Sequence, residues 1–156
     1  MASDEGRTLI ASNRRARFDY ELLDRFEAGM VLLGPEVKSL RAGRANLSDA
    51  FATVRRGELW LLNAHISPYE QAGRENPEPR RERKLLMKRA EIARLAGKIA
   101  EKGLTLVAVS LYWKGGRAKC ELALARGKRQ RDKRQTIRKR EETREMARAL
   151  KDGRRR

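Results

Sequence analysis

The chain has 156 residues, enough for one domain with an appendage, and it carries a formal net charge of +17 at pH 7. A balance this basic favours a polyanionic partner and places RNA or DNA ahead of a membrane. A single cysteine excludes an intrachain disulfide and indicates a reducing compartment, and no leader or bilayer-length apolar run is visible, so we predict a cytoplasmic protein without a membrane partner.

The first predicted feature is a basic arm. Residues 1–8 are polar and are expected to be disordered, and residues 10–16 follow as an arm that leads into the first strand. Asn13, Arg14 and Arg15 cluster on this arm. Taken alone, the cluster is compatible both with a solvated basic arm and with an arm that contacts RNA.

A strand and a short helix come next. Apolar residues fall mostly on alternate positions from Phe18 to Leu32, which predicts a half-buried strand, and Gly29 within it predicts a bend or bulge. Gly34-Pro35 ends the strand and starts a helix, because proline cannot donate to a ladder but suits a first helical turn. Gly43 closes that helix. The charged outer faces of both elements are typical of a recognition surface on a small barrel.

The middle of the chain predicts a hairpin, a loop and a longer helix. Residues 50–66 alternate in polarity about a two-residue turn at 56–57, which is typical of a hairpin. Residues 67–83 are interrupted by proline and glycine and predict a loop. An apolar stripe at helical spacing then predicts a helix over residues 83–102, ended by Gly103.

Two further strands complete the predicted fold. Residues 104–113 are almost entirely apolar and β-prone, as expected of a central strand that is buried on both faces. After a glycine turn, apolar and charged residues alternate from Arg117 to Leu124. Five or six strands with two interposed helices, without regular alternation of the two, argue against a parallel sheet. We therefore predict a mainly β fold, a small antiparallel barrel with interposed helices, of which the oligonucleotide-binding barrel is one form.

The C-terminal segment differs in composition from the rest of the chain. Residues 126–156 hold 15 Lys and Arg against 5 Asp and Glu, a net charge of +10, whereas residues 1–125 have a net charge of +7. The tail has too few large apolar residues to form a core, so it is expected to be disordered alone, but its good helix formers predict a helix on an anionic partner. The predicted organisation is a barrel with an N-terminal arm over 1–125 and a basic tail over 126–156.

Catalytic chemistry has little support in the sequence. His65 is the only histidine, which excludes a site with two histidine ligands and a relay through two imidazoles. Cys120 falls on the apolar side of a strand and reads as a small core residue. No glycine-rich phosphate loop or nucleophile-elbow motif occurs. We therefore predict a protein that is not an enzyme and that uses no cofactor and no metal.

The remaining signals favour RNA over sequence-specific DNA binding. No helix-turn-helix or zinc-finger pattern is present. A barrel without a reading helix would recognise RNA by shape, phosphates and unpaired loops. Most aromatic residues fall on strand positions that favour core packing, which leaves Tyr69 and Trp113 as candidates for exposed base stacking.

Several ordered motifs resemble those of one family. Phe26-Glu27-Ala28-Gly29, followed by Glu36-Val37-Lys38-Ser39-Leu40-Arg41-Ala42-Gly43, resembles the signature of the SsrA-binding protein, small protein B, of bacterial trans-translation. The other motifs follow in the family's order along nearly the whole chain: Ile10-Ala11 with Asn13-Arg14-Arg15-Ala16, Ser67-Pro68-Tyr69, Arg83-Lys84-Leu85-Leu86, and Gly127-Lys128-Arg129 with Asp132-Lys133-Arg134.

The resemblance implies a barrel that binds the tRNA-like domain of transfer-messenger RNA and delivers it to stalled ribosomes. The residues that it implies for RNA binding are Asn13, Arg14, Arg15, Glu27, Glu36, Lys38, Arg41, Arg83, Lys84 and Lys119. For Glu27 and Glu36, pairing with neighbouring arginines is the alternative.

For the tail, the resemblance implies a place in the decoding centre and the empty messenger channel of the small ribosomal subunit. The residues implied are Lys128, Arg129, Arg131, Asp132, Lys133 and Arg134. Arg131 departs from many relatives, which carry histidine or an aromatic residue there, although a guanidinium can also stack on a base. The protein is expected to be monomeric. The alternative function is that of a structural ribosomal protein or assembly factor bound permanently to ribosomal RNA.

Overall fold

The computed structural model describes residues 6–127 together with Arg144 and Met146. The chain divides into two compact units, Met1–Arg126 and Gly127–Arg156. The strands of the described part are β1 Arg7–Ser12, β2 Tyr20–Met30, β3 Ala45–Asn46, β4 Phe51–Arg55, β5 Glu58–Leu62, β6 His65–Ile66, β7 Arg83–Leu86, β8 Thr105–Lys114 and β9 Arg117–Gly127. The helices are α1 Arg14–Asp19, α2 Gly34–Arg41 and α3 Arg89–Lys102, and a 3-10 segment covers Glu70–Glu75. In the second unit, Arg144 and Met146 are helical and exposed.

The strands form a closed barrel. Neighbouring strands follow the order β8-β4-β5-β7-β2-β9, and β9 pairs back to β8, while β1 adds to the side of β8. The pairings of β8 with β1, β4 and β9 are antiparallel, as are β4 with β5, β5 with β7, and β2 with β7. The predicted mainly β fold, a small antiparallel barrel with interposed helices, is confirmed. In the part of the chain that the structure describes, no helix has the length and apolarity to span a membrane.

Residues 7 and 8, which were predicted to be disordered, belong to β1. β1 already begins at Arg7 and pairs with β8 from Arg7–Lys114 to Ser12–Ser110. Phe18, predicted to start a strand, lies in α1, and β2 begins at Tyr20. The prediction was wrong here because a strand of only six residues is fixed by its partner rather than by its own periodicity.

The predicted helix over residues 83–102 is a strand followed by a helix. Residues 83–86 form β7, which joins β2 to β5 and so closes the barrel: Leu85 lies opposite Met30 on one side and Leu59 on the other. The first part of the helix prediction was therefore wrong. Leu85 fits the apolar stripe of a helix and the inner face of a strand equally well. The open edges of β2 and β5, which residues 83–86 join, decide in favour of the strand.

Gly29, at which a bend or bulge was predicted, shows no bulge where it pairs with β7. Its register with β7 is continuous, Gly29 opposite Leu86 and Met30 opposite Leu85. A Cβ at this position would lie 3.4 Å from Leu86 Cβ and 3.8 Å from Lys119 Nζ, which are ordinary van der Waals distances, so these two neighbours would contact a side chain placed here. Register shifts occur in β1 between residues 9 and 11 and in β8 between 108 and 110.

β8 is buried on both faces, as predicted. Its inner face joins the main core with β9, which contributes Cys120 and Leu122. Its outer face is covered over its first half by α1, where Ala16 packs against Val107 and Val109. Burial raises the pKa of the Cys120 thiol to about 12, so this core thiol is protonated at neutral pH.

Asn13 joins α1 to the barrel. Its Oδ1 accepts a hydrogen bond from the Ala16 N–H at 3.0 Å, which caps the helix, and its Nδ2 donates to Leu47 O at 2.7 Å and to Ala108 O at 2.8 Å. Only 3% of the residue is exposed. The side chain therefore supports the fold on three sides at once.

Replacing Asn13 by Ala should lower the free energy of unfolding by about 2–3 kcal/mol, since a cap is worth about 1 kcal/mol and buried carbonyls lose their donors. Asn13→Asp keeps the cap acceptor but buries a carboxylate whose second oxygen faces the two carbonyls, so it should be at least as destabilising as Asn13→Ala. Chemical denaturation measures both, and Arg14→Ala, an exposed neighbour, is the control. An Asn13→Ala protein as stable as the Arg14→Ala control would contradict this role.

Candidate nucleic-acid interface

One outer face of the barrel gathers charged side chains from four strands. We define the outer-face patch as Arg7 of β1, Tyr112 and Lys114 of β8, Lys119 of β9 and Glu27 of β2. Tyr112 and Lys119 lie directly opposite each other, so their side chains leave the sheet on the same side. Ala28 and Phe26 point the other way, into the core, which turns Glu27 outward.

Glu27 is the centre of this patch, and its two oxygens differ. Oε2 accepts hydrogen bonds from Arg7 Nη2 at 3.2 Å, from Lys114 Nζ at 3.4 Å and from the Tyr112 hydroxyl. None of the residues that the structure describes donates to Oε1. The side chain is 31% exposed, so the carboxylate is held at one oxygen and remains accessible to solvent.

Arg7 covers the ring of Tyr112. The guanidinium carbon lies 4.5 Å from the ring centroid, within the range of a cation–π contact. Its Nε is buried without an acceptor among the described residues, a state that ordinarily costs about 1–3 kcal/mol. The stacking on Tyr112 and the bond to Glu27, rather than full hydrogen bonding of the guanidinium, thus fix the position of Arg7.

The protonation states follow from these contacts. The hydrogen bond from Tyr112 lowers the pKa of Glu27 below its ordinary value, burial opposes this, and Lys114 and Arg7 lower it further. Burial and the neighbouring Glu27 raise the pKa of Tyr112 above its ordinary value. At neutral pH the carboxylate is therefore ionised and the phenol is protonated, which makes Tyr112 a permanent donor.

A groove runs from the patch along α1. Its volume is about 510 Å³, and Arg14 and Arg17 of α1 lie along it with Arg7, while Leu9 adds an apolar side chain that is 65% exposed. Three guanidinium groups along one groove favour a polyanion. Within residues 6–127, no group of three or more His, Cys, Asp or Glu side chains is placed to hold a metal ion.

A buried ion network lies beneath α2. Glu36 Oε2 accepts from Arg83 Nε at 2.6 Å and from Arg81 Nε at 3.1 Å, and Oε1 accepts from Arg81 Nη2 at 2.5 Å and from the Leu33 N–H at 2.9 Å. Arg83 also donates to the carbonyls of Ala64 at 2.7 Å and Pro79 at 2.9 Å. This network fixes the start of α2 and the end of the loop before β7 to the barrel.

Burial would raise the pKa of Glu36, but the hydrogen bonds from Arg81, from the Leu33 N–H and from Arg83 outweigh it and hold the pKa below the ordinary value. Burial also lowers the pKa of Arg83, and Glu36 opposes that shift. With side-chain exposures of 2% for Glu36 and 0% for Arg83, the pair is closed to solvent.

The structure separates the ten barrel residues predicted to contact RNA into two groups. Asn13, Glu36 and Arg83 are buried, and their side chains offer no surface to a ligand. In this structure the hydrogen bonds of these three residues support α1, α2 and the loop before β7, and RNA contact by them stays a prediction. The remaining seven are exposed or half-buried: Arg14, Arg15, Glu27, Lys38, Arg41, Lys84 and Lys119.

Several of these accessible side chains have partners within the protein. Arg15 lies 3.4 Å from Asp19 and 3.5 Å from Asp49, and Lys84 lies 3.4 Å from Glu58. By contrast, Arg14, Arg41 and Lys119 form no ion pair within the described part of the chain. Cations of this kind can bind an incoming phosphate without first breaking an ion pair to another described residue.

The two aromatic candidates differ in their surroundings. Lys38 Nζ lies 5.3 Å from the centroid of the Tyr69 ring, so Tyr69 carries a cation on one face and sits beside α2. Trp113 is half-buried against the main core, on the inner side of β8. Tyr69 thus keeps its place among the surface residues, and Trp113 is mainly a packing residue.

Sequence reasoning missed Arg7, Arg81, Tyr112 and Lys114. Arg7 fell in the segment predicted to be disordered, and Tyr112 was counted with the core. Tyr112 and Lys114 alternate with Leu111 and Trp113 along β8, and this alternation is a signal that both face outward. Only strand pairing, however, brings them to Glu27. Six predicted tail residues lie outside the described residues: Lys128, Arg129, Arg131, Asp132, Lys133 and Arg134. The prediction that the tail is disordered alone and helical on a partner also falls outside them.

Comparison with known proteins gives consistent results. The model of the family described as "SmpB protein" matches residues 10–152. The chain is 59% identical over 150 residues to the SsrA-binding protein of Acidothermus cellulolyticus, covering 96% of this chain and 94% of the relative. It is 58% identical over 149 residues to the SsrA-binding protein of Desulforudis audaxviator, covering 96% and 97%.

A solved structure agrees with these relatives. It is described as "tmRNA-SmpB: a journey to the center of the bacterial ribosome" and superposes with a TM-score of 0.67 at 49% sequence identity. The alignment covers 82% of this chain and 94% of the other. The resemblance found in the sequence motifs therefore extends to the fold.

Proposed function

The chain belongs to the SmpB protein family, and from this membership we propose that it binds transfer-messenger RNA and delivers it to stalled ribosomes. Curated relatives with more than half of their residues identical carry the name SsrA-binding protein. The protein would act in the cytoplasm as a non-enzymatic RNA-binding factor, without a cofactor. Its partners would be the RNA and the ribosome.

The outer-face patch is the observation that carries this proposal. A purely basic surface attracts any polyanion, whereas a carboxylate fixed among cations suits a partner that supplies both phosphates and hydrogen-bond donors. Structured RNA does so, because each ribose places a 2′-hydroxyl beside a phosphate. The tRNA-like domain of transfer-messenger RNA is the part that we propose for this surface.

The RNA contacts would be divided between accessible and buried residues. Arg14, Arg41 and Lys119, which have no ion-pair partner in the described chain, would meet phosphates directly. Lys38 would do so beside Tyr69. Asn13, Glu36 and Arg83 would hold α1, α2 and the connecting loop in the positions that these contacts require.

The tail would have a separate task on the ribosome. Lys128, Arg129, Arg131, Asp132, Lys133 and Arg134 would lie at the decoding centre, and the remainder would occupy the empty messenger channel. The support is the net charge of +10 over residues 126–156, the helix-forming composition and the family membership. Arg131 would stack its guanidinium on a base in place of an aromatic ring.

Binding by residues 1–126 to the tRNA-like part of transfer-messenger RNA tests the barrel's role. We expect at least tenfold tighter binding than to an unrelated structured RNA of equal length at matched salt. Lys119→Ala should weaken binding about tenfold and reduce the salt slope by about one, because one phosphate contact is lost. Lys102→Ala, an exposed lysine in the last turn of α3, is the matched control and should bind as wild type.

Equal affinity for both RNAs would refute the proposed function. Equal losses in the Lys119→Ala and Lys102→Ala proteins would leave only a general electrostatic attraction and would remove Lys119 from the interface.

A further inference from the structure

We propose that Trp60 of β5 is a stacking platform for one unpaired base of the bound RNA, and that the ion pair between Arg55 and Glu82 is a strap that covers this platform until the RNA binds. The inference rests on the proposed function, since it adds a second contact surface for the same RNA. It assigns a role to three side chains that lie outside both the outer-face patch and the sequence motifs.

The first step is the position of Trp60. Its neighbours along β5, Leu59 and Leu61, are fully buried in the main core, so Trp60 points out of the barrel. It lies opposite Thr53 of β4 and Lys84 of β7, in the middle of this outer sheet face. The residue is half-buried and belongs to neither core of the described part of the chain. An aromatic ring on the outer face of a barrel strand is an arrangement on which nucleic-acid-binding barrels stack unpaired bases.

The second step is the cover over the ring. The guanidinium carbon of Arg55 lies 5.4 Å from the centroid of the Trp60 ring, within the range of a cation–π contact. Arg55 stands on β4 at the level of Glu58, but its Nη2 bonds to Glu82, which precedes β7 on the other side of β5. The ion pair therefore crosses β5 and holds the guanidinium over one face of the ring.

The third step is the weakness of the strap. The side chains of Arg55 and Glu82 are 48% and 52% exposed, and an ion pair this exposed contributes little, because water and salt compete for both charges. Stacking of a base on an aromatic side chain is stronger, since its removal weakens binding about 5- to 100-fold. A base can therefore replace the guanidinium on Trp60, and the released Arg55 can bind a phosphate.

The fourth step is the kind of partner. Lys84, beside Trp60, forms a second surface ion pair with Glu58 at 3.4 Å, so a cation stands on each side of the ring. The indole Nε1 donates to no residue that the structure describes and can donate to an RNA oxygen. A nucleotide carries both parts that this site accepts, a flat base for the ring and a phosphate for the cations. Only an unpaired base exposes its face, because bases within a helix are stacked on one another.

Trp60→Leu tests the stacking role. It keeps an apolar side chain on the strand but removes the ring, and affinity for the tRNA-like RNA should fall about 5- to 100-fold with little change in thermal stability. The matched control is Phe51→Leu, which removes a half-buried aromatic ring from the same sheet face, where no described cation covers it. This control should bind as wild type does. A Trp60→Leu protein that binds like Phe51→Leu would overturn the stacking role.

Tryptophan emission detects the stack directly. The chain has two tryptophans, so Trp113→Phe leaves Trp60 as the only one. Saturation of this protein with the tRNA-like RNA should quench the emission, because a base stacked on an indole ring deactivates its excited state. Binding of the RNA without loss of Trp60 emission would contradict the proposal.

Glu82→Gln tests the strap. It removes the carboxylate that holds Arg55 over the ring, so RNA affinity should rise by up to about 5-fold. In the free protein with Trp113→Phe, acrylamide should quench Trp60 more strongly once the strap is lost.

The matched control for the strap is Glu58→Gln. It removes the same charge at a similar exposure, 48% against 52%, and it also releases a cation, but not the one over the ring. Its gain in affinity should be smaller, and acrylamide quenching of Trp60 should be unchanged. An equal gain in affinity in Glu58→Gln and Glu82→Gln, or equal quenching in both, would leave only general electrostatics and refute the strap.

Single abasic replacements at the unpaired positions of the tRNA-like RNA identify the stacked base. We expect one replacement to weaken binding to wild type about 5- to 100-fold and to leave binding to Trp60→Leu unchanged, because the two changes remove the same stack. If every replacement affects both proteins equally, the proposal is refuted even though the RNA still binds. If wild type itself does not prefer this RNA, the proposed function fails, so the two failures are distinguishable.

Discussion

Replacing Glu36 by Ala should lower the free energy of unfolding by about 3–5 kcal/mol, the range for breaking a buried ion pair on one side. The side chain accepts four hydrogen bonds, from Arg81 twice and from Arg83 and Leu33 once each. Its removal would leave the Arg83 guanidinium, with 0% of its side chain exposed, beside an empty space without a counter-charge. Urea denaturation at pH 7 measures the loss.

The matched control is Glu58→Ala, which breaks an ion pair of the same kind at the surface. Glu58 and Lys84 are 48% and 41% exposed and 3.4 Å apart, so this loss should stay below about 1 kcal/mol. The double variant Glu36→Ala with Arg83→Met should be more stable than Glu36→Ala alone, because it removes the uncompensated charge together with its partner. If Glu36→Ala were no less stable than Glu58→Ala, the network would have no structural role.

The same network predicts a dependence on pH. The pKa of Glu36 in the folded protein lies below the ordinary value of 4.5, so its ionisation stabilises the fold above that value. This stabilisation is lost as the pH falls through the folded-state pKa. The difference in the free energy of unfolding between wild type and Glu36→Gln should therefore have its full value at pH 7 and should decrease below about pH 4.5.

The elements predicted correctly are those whose signals are local. The β4–β5 hairpin has its alternation and turn within about a dozen residues, and its register joins Phe51 to Leu62 through Arg55 to Glu58. α2 has Pro35 in its first turn, and Gly43 follows it with a φ of +70°, a conformation that glycine adopts without strain. In both cases the residues that fix the geometry lie inside the element.

The failures occur where a distant partner decides. Residues 83–86 become a strand only because β2 and β5 each present an open edge to them. Glu36 and Arg83 are 47 positions apart, and no periodicity shows that they meet in the interior. Their charge predicted exposure, which is the correct default for an unpaired arginine or glutamate. Pairing reverses that default and places both residues in the interior.

The candidate site illustrates the same limit. Motif resemblance predicted roles for Glu27 and Lys119 but not for Arg7 or Tyr112, which lie in β1 and β8 and come near Glu27 only through barrel closure. The hydrogen bond between Tyr112 and Glu27 joins residues separated by 85 positions. A sequence pattern can predict which residues of each strand face outward. Cross-strand geometry, however, decides which oxygen of Glu27 accepts hydrogen bonds from the neighbouring strands.

Ending the chain after Arg126 should abolish the addition of alanine to a stalled nascent chain and leave binding to transfer-messenger RNA within about twofold of wild type. Residues 1–126 retain the compact unit that holds the outer-face patch. The segment removed carries most of the positive charge of the tail, which we propose to lie in the negatively charged decoding centre and messenger channel. The two measurements are a binding titration with the RNA and a tagging reaction on ribosomes carrying a truncated messenger.

A variant with residues 128–156 in scrambled order is the control for charge alone. It keeps the composition of the tail but displaces Lys128, Arg129, Arg131, Asp132, Lys133 and Arg134. Loss of tagging in both variants would assign the function to these residues in their order, because the electrostatic attraction is preserved in one of them. Full tagging by the scrambled variant would reduce the tail to a general anchor on ribosomal RNA. Full tagging by the truncated protein would refute a place for the tail in the decoding step, since a segment that reports an empty messenger channel cannot be dispensable for the reaction that follows.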